Sequence, residues 1–277
     1  MRLGLRTSAT AATPAFLARG SACECNAHYR QQVERGARHL LVGVDRPTGL
    51  GHDSDDPAAR GAVGQAGAAI DSVDDMRVLL RGLALDRVTA TLLVDLPGAA
   101  PLASLWCLVM EERAGGARCR LRIALRPPDP TRMPGPPAER YAERLTALLH
   151  AVCTPAGVPV RPAGPHDLAE PWPPRSCSPR TIEAAQAERL AKLRAWRCED
   201  RLDAALTVLR ASAAHPADAR TPGALRAALA AGATLGEVSG VLRAAWGAPR
   251  RTPAFLTVRS QVRHGRRSPV AGNHPSA

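Results

Sequence analysis

Three apolar runs of strand length alternate with stretches of helical periodicity, and this alternation constrains the fold more than any other feature of the chain. The runs are His39 to Val44 (HLLVGV), Arg87 to Val94 (RVTATLLV) and Arg118 to Leu125 (RCRLRIAL). Between the first two, Ser72 to Leu80 places Met76, Leu79 and Leu80 on one helical face, with Ser72 as N-cap and Asp75 three residues on. Between the second and third, Ala99 to Arg113 reads as a longer helix ended by Gly115-Gly116. Strand, helix, strand, helix, strand implies right-handed crossovers and a parallel sheet. The turn-rich DRPTGLGHDSDDP after the first run marks a functional loop leaving a buried strand.

The pattern then breaks. Arg126 to Pro137 is proline-rich, Ala138 to Val152 is one amphipathic helix, and Pro155 to Pro179 reads mostly as linker. From Thr181 the chain is helical, with segments to about Arg197, then Asp200 to Ser212, Pro222 to Ala231 and Thr234 to Trp246. The last opens on a Thr234–Glu237 capping box. Upstream, Glu24 to Arg35 is a short helix ending at Gly36. A closed eight-stranded barrel needs about 200 residues or more, and this pattern offers three or four strands. The fold class expected is α/β: a partial (β/α) TIM-barrel-like arrangement followed by a helical segment. The organisation expected is a loose N-terminus over 1–20, the partial barrel over 21–153, a proline-rich linker over 154–180, the helical segment over 181–248 and a disordered basic tail over 249–277.

Composition narrows the partners. The net charge is +12, yet Lys192 is the only lysine, and the arginines are scattered apart from Arg250-Arg251 and the tail from Arg263 to Arg267. No nucleic-acid recognition motif accompanies them, so nucleic acid is not expected as a partner. Aromatics make up 3 %, which leaves Ala, Leu and Val to fill the core. The seven cysteines are irregularly spaced, which fits reduced thiols better than a disulfide framework. Cys23, Cys25 and His28 sketch a metal site, but no second ligand pair follows at zinc-like spacing, so no metal is expected. With no apolar run of spanning length and a poor signal-peptide pattern at the start, a cytoplasmic protein off the membrane is expected.

The loop after the first strand carries a resemblance. Asp45-Arg-Pro-Thr-Gly-Leu-Gly-His-Asp-Ser-Asp55, followed by Gly61-Ala-Val-Gly-Gln-Ala-Gly-Ala-Ala-Ile-Asp-Ser-Val-Asp-Asp-Met76, resembles the DLPT…GYDSD and GEVGxxGVAIDSxxDM signatures of the methylmalonyl-CoA mutase family. Glu24-Cys-Asn-Ala-His-Tyr-Arg30 is similar to its ESNAxYR helix, and Gly82 to Val88 to its GIPLDxV turn. Near the C-terminus, Ala187 to Arg197 and Ala231 to Ser239, with Leu242 and Trp246, are similar to the family's closing helices. The resemblance implies an isomerase: a barrel whose lumen threads the pantetheine arm of an acyl-CoA, with adenosylcobalamin presented by a separate domain that starts a radical rearrangement. It implies Thr48, His52, Thr89 and Thr91 as substrate contacts, Thr48 because it matches the family loop unchanged.

Departures from the family pattern bear on activity. Phe16 stands where the family has its substrate-facing tyrosine, Arg46 replaces a leucine, His52 replaces a tyrosine and Asp95 replaces an asparagine. The middle strands, with the arginine that grips the substrate carboxylate, have no counterpart. No DxHxxG cobalamin motif occurs, so adenosylcobalamin would come from a cobalamin-binding subunit. The reading expected is a mutase-like protein with an incomplete catalytic core. The alternative is a non-catalytic paralogue, or a small-subunit-like partner of a full-length mutase. Asp53, Ser54 and Asp55 would serve as helix and turn caps rather than a reactive site.

Overall fold

The computed structural model describes residues 17–113, 120–126, 136–164, 167, 179–215 and 218–247. Phe16, the tail from 249, Gly115-Gly116 and most of the proline-rich run after Arg126 lie outside them. The elements, in chain order, are β1 (Gly20–Ser21), α1 (Ala22–Glu34), β2 (His39–Gly43), α2 (Arg46–Gly49), β3 (Ala68–Ala69), α3 (Val73–Leu80), β4 (Thr89–Val94), α4 (Leu96–Glu112), β5 (Arg120–Leu125) and α5 (Pro136–Cys153). They continue with β6 (Val160–Pro162), α6 (Pro179–Trp196), α7 (Glu199–Ala213), α8 (Thr221–Ala230) and α9 (Leu235–Trp246).

Strands β2, β4, β5 and β6 form a parallel sheet in that spatial order, and β1 pairs with β3. A parallel bridge from Val44 to Ala68 joins the two along the end of β2. Each crossover in the four-stranded sheet steps one place in the same direction. That is the winding of a barrel; a doubly wound sheet reverses at a switch point. The chain is therefore α/β with a partial (β/α) barrel-like arrangement.

The two short strands β1 and β3 escape sequence reading because two residues carry no periodicity. Strand β6 falls inside the 154–180 segment that reads as linker. Its three residues are flanked by Pro159 and end on Pro162, which masks a strand signal. The same features protect the sheet edge. Pro162 lacks an N–H and Arg161 is exposed and charged, so the outer edge of β6 is a poor template for further pairing.

The core follows from the two faces of the strands. Leu40, Val42 and Val44, Ala90, Leu92 and Val94, and Leu121 and Ile123 point to the helices, where they meet Met76, Leu79, Leu80, Leu102 and Leu105. Helix α4 is apolar on nearly every side; Ala99, Ala100, Leu102, Ala103, Leu105, Trp106 and Val109 are all buried. A helix of that kind must be covered twice. The sheet covers one side, and α5, α8 and α9 cover the other. Leu225, Leu229, Leu235, Val238 and Leu242 therefore belong to the same apolar core as the sheet helices. The core is built from Leu, Val and Ala as composition requires, with Trp106 and Tyr29 among its largest members.

Candidate functional site

In parallel β/α architectures the loops at the C-terminal ends of the strands carry the chemistry. Here that end is occupied by the segment from Asp45 to Asp75, and its carboxylates are turned inward. Asp45 caps α2: one carboxylate oxygen accepts the N–H of Thr48 at 2.9 Å and the other the N–H of Gly64 at 2.7 Å. Burial pushes its carboxyl up to about 6, a rise those bonds only moderate. The chain returns so closely past this turn that a Cβ on Gly67 would stand 2.3 Å from the backbone of Val44, which only glycine avoids.

Asp53 reaches across to the C-terminal helices. It accepts the hydroxyl of Thr234 at 2.6 Å and the N–H of Gly236 at 2.6 Å, and Arg194 lies 3.2 Å away. It thus caps α9 from a position 181 residues earlier, next to the Thr234–Glu237 capping box. Burial raises its carboxyl to about 6, with the Thr234, Gly236 and Arg194 contacts pulling the other way. Asp71 accepts the N–H and hydroxyl of Ser54 at 2.8 and 3.0 Å and the amide of Gln186 at 3.1 Å. Burial, then the neighbouring Asp75 and Asp53, hold its carboxyl well above the ordinary range. Asp75 completes the Ser72 capping box and pairs with Arg189 at 2.7 Å. Arg194 also pairs with Asp55, and Arg197 bridges Glu199 at 2.9 Å and Glu237 at 2.8 Å.

These bonds engage the loop carboxylates, the Oδ1 of Asp75 only through its ion pair with Arg189. The cluster holds α6 and α9 against the strand ends. Asp53 as a cap was legible in the sequence; its target was not, because nothing in local spacing signals a partner 181 residues away. Gln186, Arg189, Arg194 and Arg197 were missed for the same reason.

The sequence-predicted contacts fall in two places. Thr48 is fully buried; its hydroxyl accepts the N–H of Ile70 at 3.1 Å and lies 3.4 Å from the Ile70 carbonyl, so it is enclosed within the loop frame. His52 is half-buried with Nδ1 2.8 Å from Asp56, which fixes its ring. Thr89 and Thr91 lie on β4 on the face away from the helices. Register places His39, Thr89 and Arg120 in one row across that face, Leu41, Thr91 and Arg122 in the next, and Gly43, Leu93 and Ala124 in a third. Leu17 covers the third row, packing with Leu41, Leu93 and Ala124. At the strand ends Asp95 accepts from Arg126 at 2.9 Å, so the carboxylate that replaces the family's amide has its own guanidinium partner. Arg46 is half-buried, which spares it the full cost of a buried charge. Cys23 is exposed and Cys25 buried, and no group of three or more His, Cys, Asp or Glu placed to hold a metal ion occurs among the described residues. No helix among the described residues is long and apolar enough to cross a membrane.

Comparison with known proteins follows the same division. A family model described as Methylmalonyl-CoA mutase matches residues 13–122 and 165–248. The methylmalonyl-CoA mutase large subunit of Propionibacterium freudenreichii subsp. shermanii is 42 % identical over 94 residues, which cover 34 % of this chain and 13 % of that protein. The large subunit of Streptomyces virginiae is 43 % identical over 91 residues, 32 % of this chain and 12 % of that protein. The methylmalonyl-CoA mutase of Escherichia coli (strain K12) is 38 % identical over 94 residues, 34 % and 13 %. The chain thus aligns with only a small fraction of each of these relatives. Residues 123–164, which hold the end of β5, α5 and β6, lie between the two matched blocks.

Proposed function

The chain belongs to the methylmalonyl-CoA mutase family, and on that premise we propose that it is a shortened acyl-CoA-binding member that does not rearrange its ligand alone. One observation carries this reading: the helix-free face of the sheet sets hydroxyl-bearing positions beside an apolar patch. Leu41, Leu93 and Ala124 form that patch under Leu17, and Thr89 and Thr91 stand beside it on β4. In this reading a long, amide-bearing arm takes the place of Leu17 over the patch. Thr89 and Thr91 are the proposed contacts on this face. His52, held by Asp56 at the strand ends, is the proposed contact nearer the acyl group. Thr48, with its hydroxyl committed to Ile70, acts in this reading by shaping the loop that carries His52.

When bound, adenosylcobalamin supplies the radical that starts a carbon-skeleton rearrangement. The described residues of this chain do not fit it. Asp45, Asp95 and Arg126 at the strand ends are tied to the backbone or to each other and leave no polar group there aimed at a cofactor. No step through the cofactor is derived for this chain; a cobalamin-binding subunit would have to bring it. A second reading, a non-catalytic partner of a full-length mutase, is favoured by Trp196, which is 88 % exposed at the end of α6. A turnover assay with methylmalonyl-CoA, adenosylcobalamin and a candidate cobalamin-binding subunit tests the reading. The expected result is no rearranged acyl-CoA, and accumulation of product would overturn it.

A further inference from the structure

The helix-free face of the sheet changes character along the strands. Toward their N-terminal ends it is open and polar: His39, Arg120 and Arg122 are exposed, with Thr89 and Thr91 between them on β4. Toward their C-terminal ends it is apolar and closed. Gly43, Leu93 and Ala124 form a row there, and Leu17 packs over it with Leu41 alongside and Ala163 at the margin. This small cluster is separate from the main core, which lies on the helix side of the strands. Arg161 continues the row on β6, and Asp167 draws its guanidinium aside at 2.8 Å.

The seat under Leu17 is shaped for that side chain. A Cβ on Gly43 would stand 2.6 Å from the Cδ2 of Leu17, far inside contact distance. Glycine within a strand weakens it, and one use of it is to admit a group that approaches the backbone closely. Here the admitted group is Leu17, which is 5 % exposed. It hangs on a short tether: three residues on, the N–H of Gly20 donates to the Gly67 carbonyl at 3.2 Å, where β1 joins β3. Displacing Leu17 therefore gives up one small contact set and leaves the main core intact.

An arm laid along Thr89 and Thr91 meets Leu17 before it reaches the strand ends, where His52 stands. The arm and the leucine cannot hold the same row. We propose that Leu17 is a self-inhibitory latch, which occupies the acyl end of the strip until ligand displaces it and so sets the affinity of the site. The inference rests on the acyl-CoA reading and adds its regulation. Binding and latch release are then one exchange, and the ligand's apparent affinity falls by the fraction of chains whose latch is open.

Isothermal titration of methylmalonyl-CoA is compared across the unaltered full chain, Leu17→Ala and Leu149→Ala. Opening the latch should make Leu17→Ala bind roughly tenfold more tightly, the gain from a matching rise in the competent fraction. Leu149→Ala makes the same truncation in the main core and should bind no more tightly than the unaltered chain. Amide exchange in the unaltered chain is the second readout: ligand should speed exchange at residues 17–19. Equal or weaker binding by Leu17→Ala, an equal gain in Leu149→Ala, or unchanged or slower exchange at 17–19 on binding would each overturn the latch. Heat of equal affinity from the unaltered chain and Leu17→Ala overturns the latch alone, whereas heat from neither overturns the acyl-CoA reading and the latch with it. Thermal midpoints check that the variants fold, and should Leu17→Ala not fold, exchange in the unaltered chain decides.

Discussion

Two regions hold the strand layer and the closing helices together, and they do so by different physics. The Asp45–Asp75 segment uses directional bonds: Asp53 to Thr234 and Gly236, Asp71 to Ser54 and Gln186, Asp75 to Arg189. The bridging segment 123–164 uses apolar contact: Leu145, Leu148, Leu149 and Val152 of α5 are buried and pack toward α4 and α8. A hydrogen-bonded cluster needs a particular donor at a particular place, whereas an apolar helix face needs only side chains of suitable volume. The family model matches the first region and passes over the second. The difference teaches that this strand layer is closed by a polar clamp within the family match and by apolar contact on α4 outside it.

The largest effect expected is on the clamp. Asp53→Ala leaves Thr234, Gly236 and part of Arg194 without their buried acceptor, and should lower the unfolding free energy by about 4 kcal/mol in urea titration. A loss under about 1 kcal/mol would show the clamp to be ornamental. On the bridge, Leu149→Ala should cost about 3 kcal/mol, the price of a buried leucine in any core. If it costs nothing while Leu80→Ala costs the usual amount, α5 is not part of the common core and the comparison fails.

The clamp should also respond to pH in a direction the bridge does not share. Burial raises Asp45 and Asp53 to about 6, and moves Asp71 and Asp75 the same way. In the unfolded chain these groups titrate near 4. Between about pH 4 and pH 6 the folded chain therefore holds more protons, and its stability falls as pH rises through that window. Unfolding free energy at pH 5 should exceed that at pH 7.5 by on the order of 2–3 kcal/mol, and Asp53→Asn should remove part of the difference. A stability that rises from pH 5 to 7.5 would contradict the burial argument. The smallest effect expected is at Arg77, which bridges Asp74 and Glu112 on the surface at 2.5 Å each. Arg77→Ala should cost under about 1 kcal/mol and less still in high salt, since exposed ion pairs are screened.

The same division explains what the sequence reveals. The strands β2, β4 and β5 and helices α3 to α9 are legible because each carries its own periodicity or cap, such as Ser72 with Asp75 and Thr234 with Glu237. Strand β6 is not, because three residues ending on a proline have no period. The role of Asp53 as a cap is legible from its loop; its partner Thr234 is not, because tertiary bonds leave no mark in local spacing. Thr48 illustrates the converse. Its match to the family loop marks it as important, and only the structure shows its hydroxyl committed to Ile70.

The most direct test of the account is isothermal titration of methylmalonyl-CoA into the full chain, repeated with Thr91→Trp, which would fill the strip beside Leu41 and Leu93. Saturable heat that is lost in the variant is predicted, with both chains equally folded. Absence of heat from the unaltered chain at high protein concentration, or unchanged heat from the variant, would contradict a ligand on the sheet face.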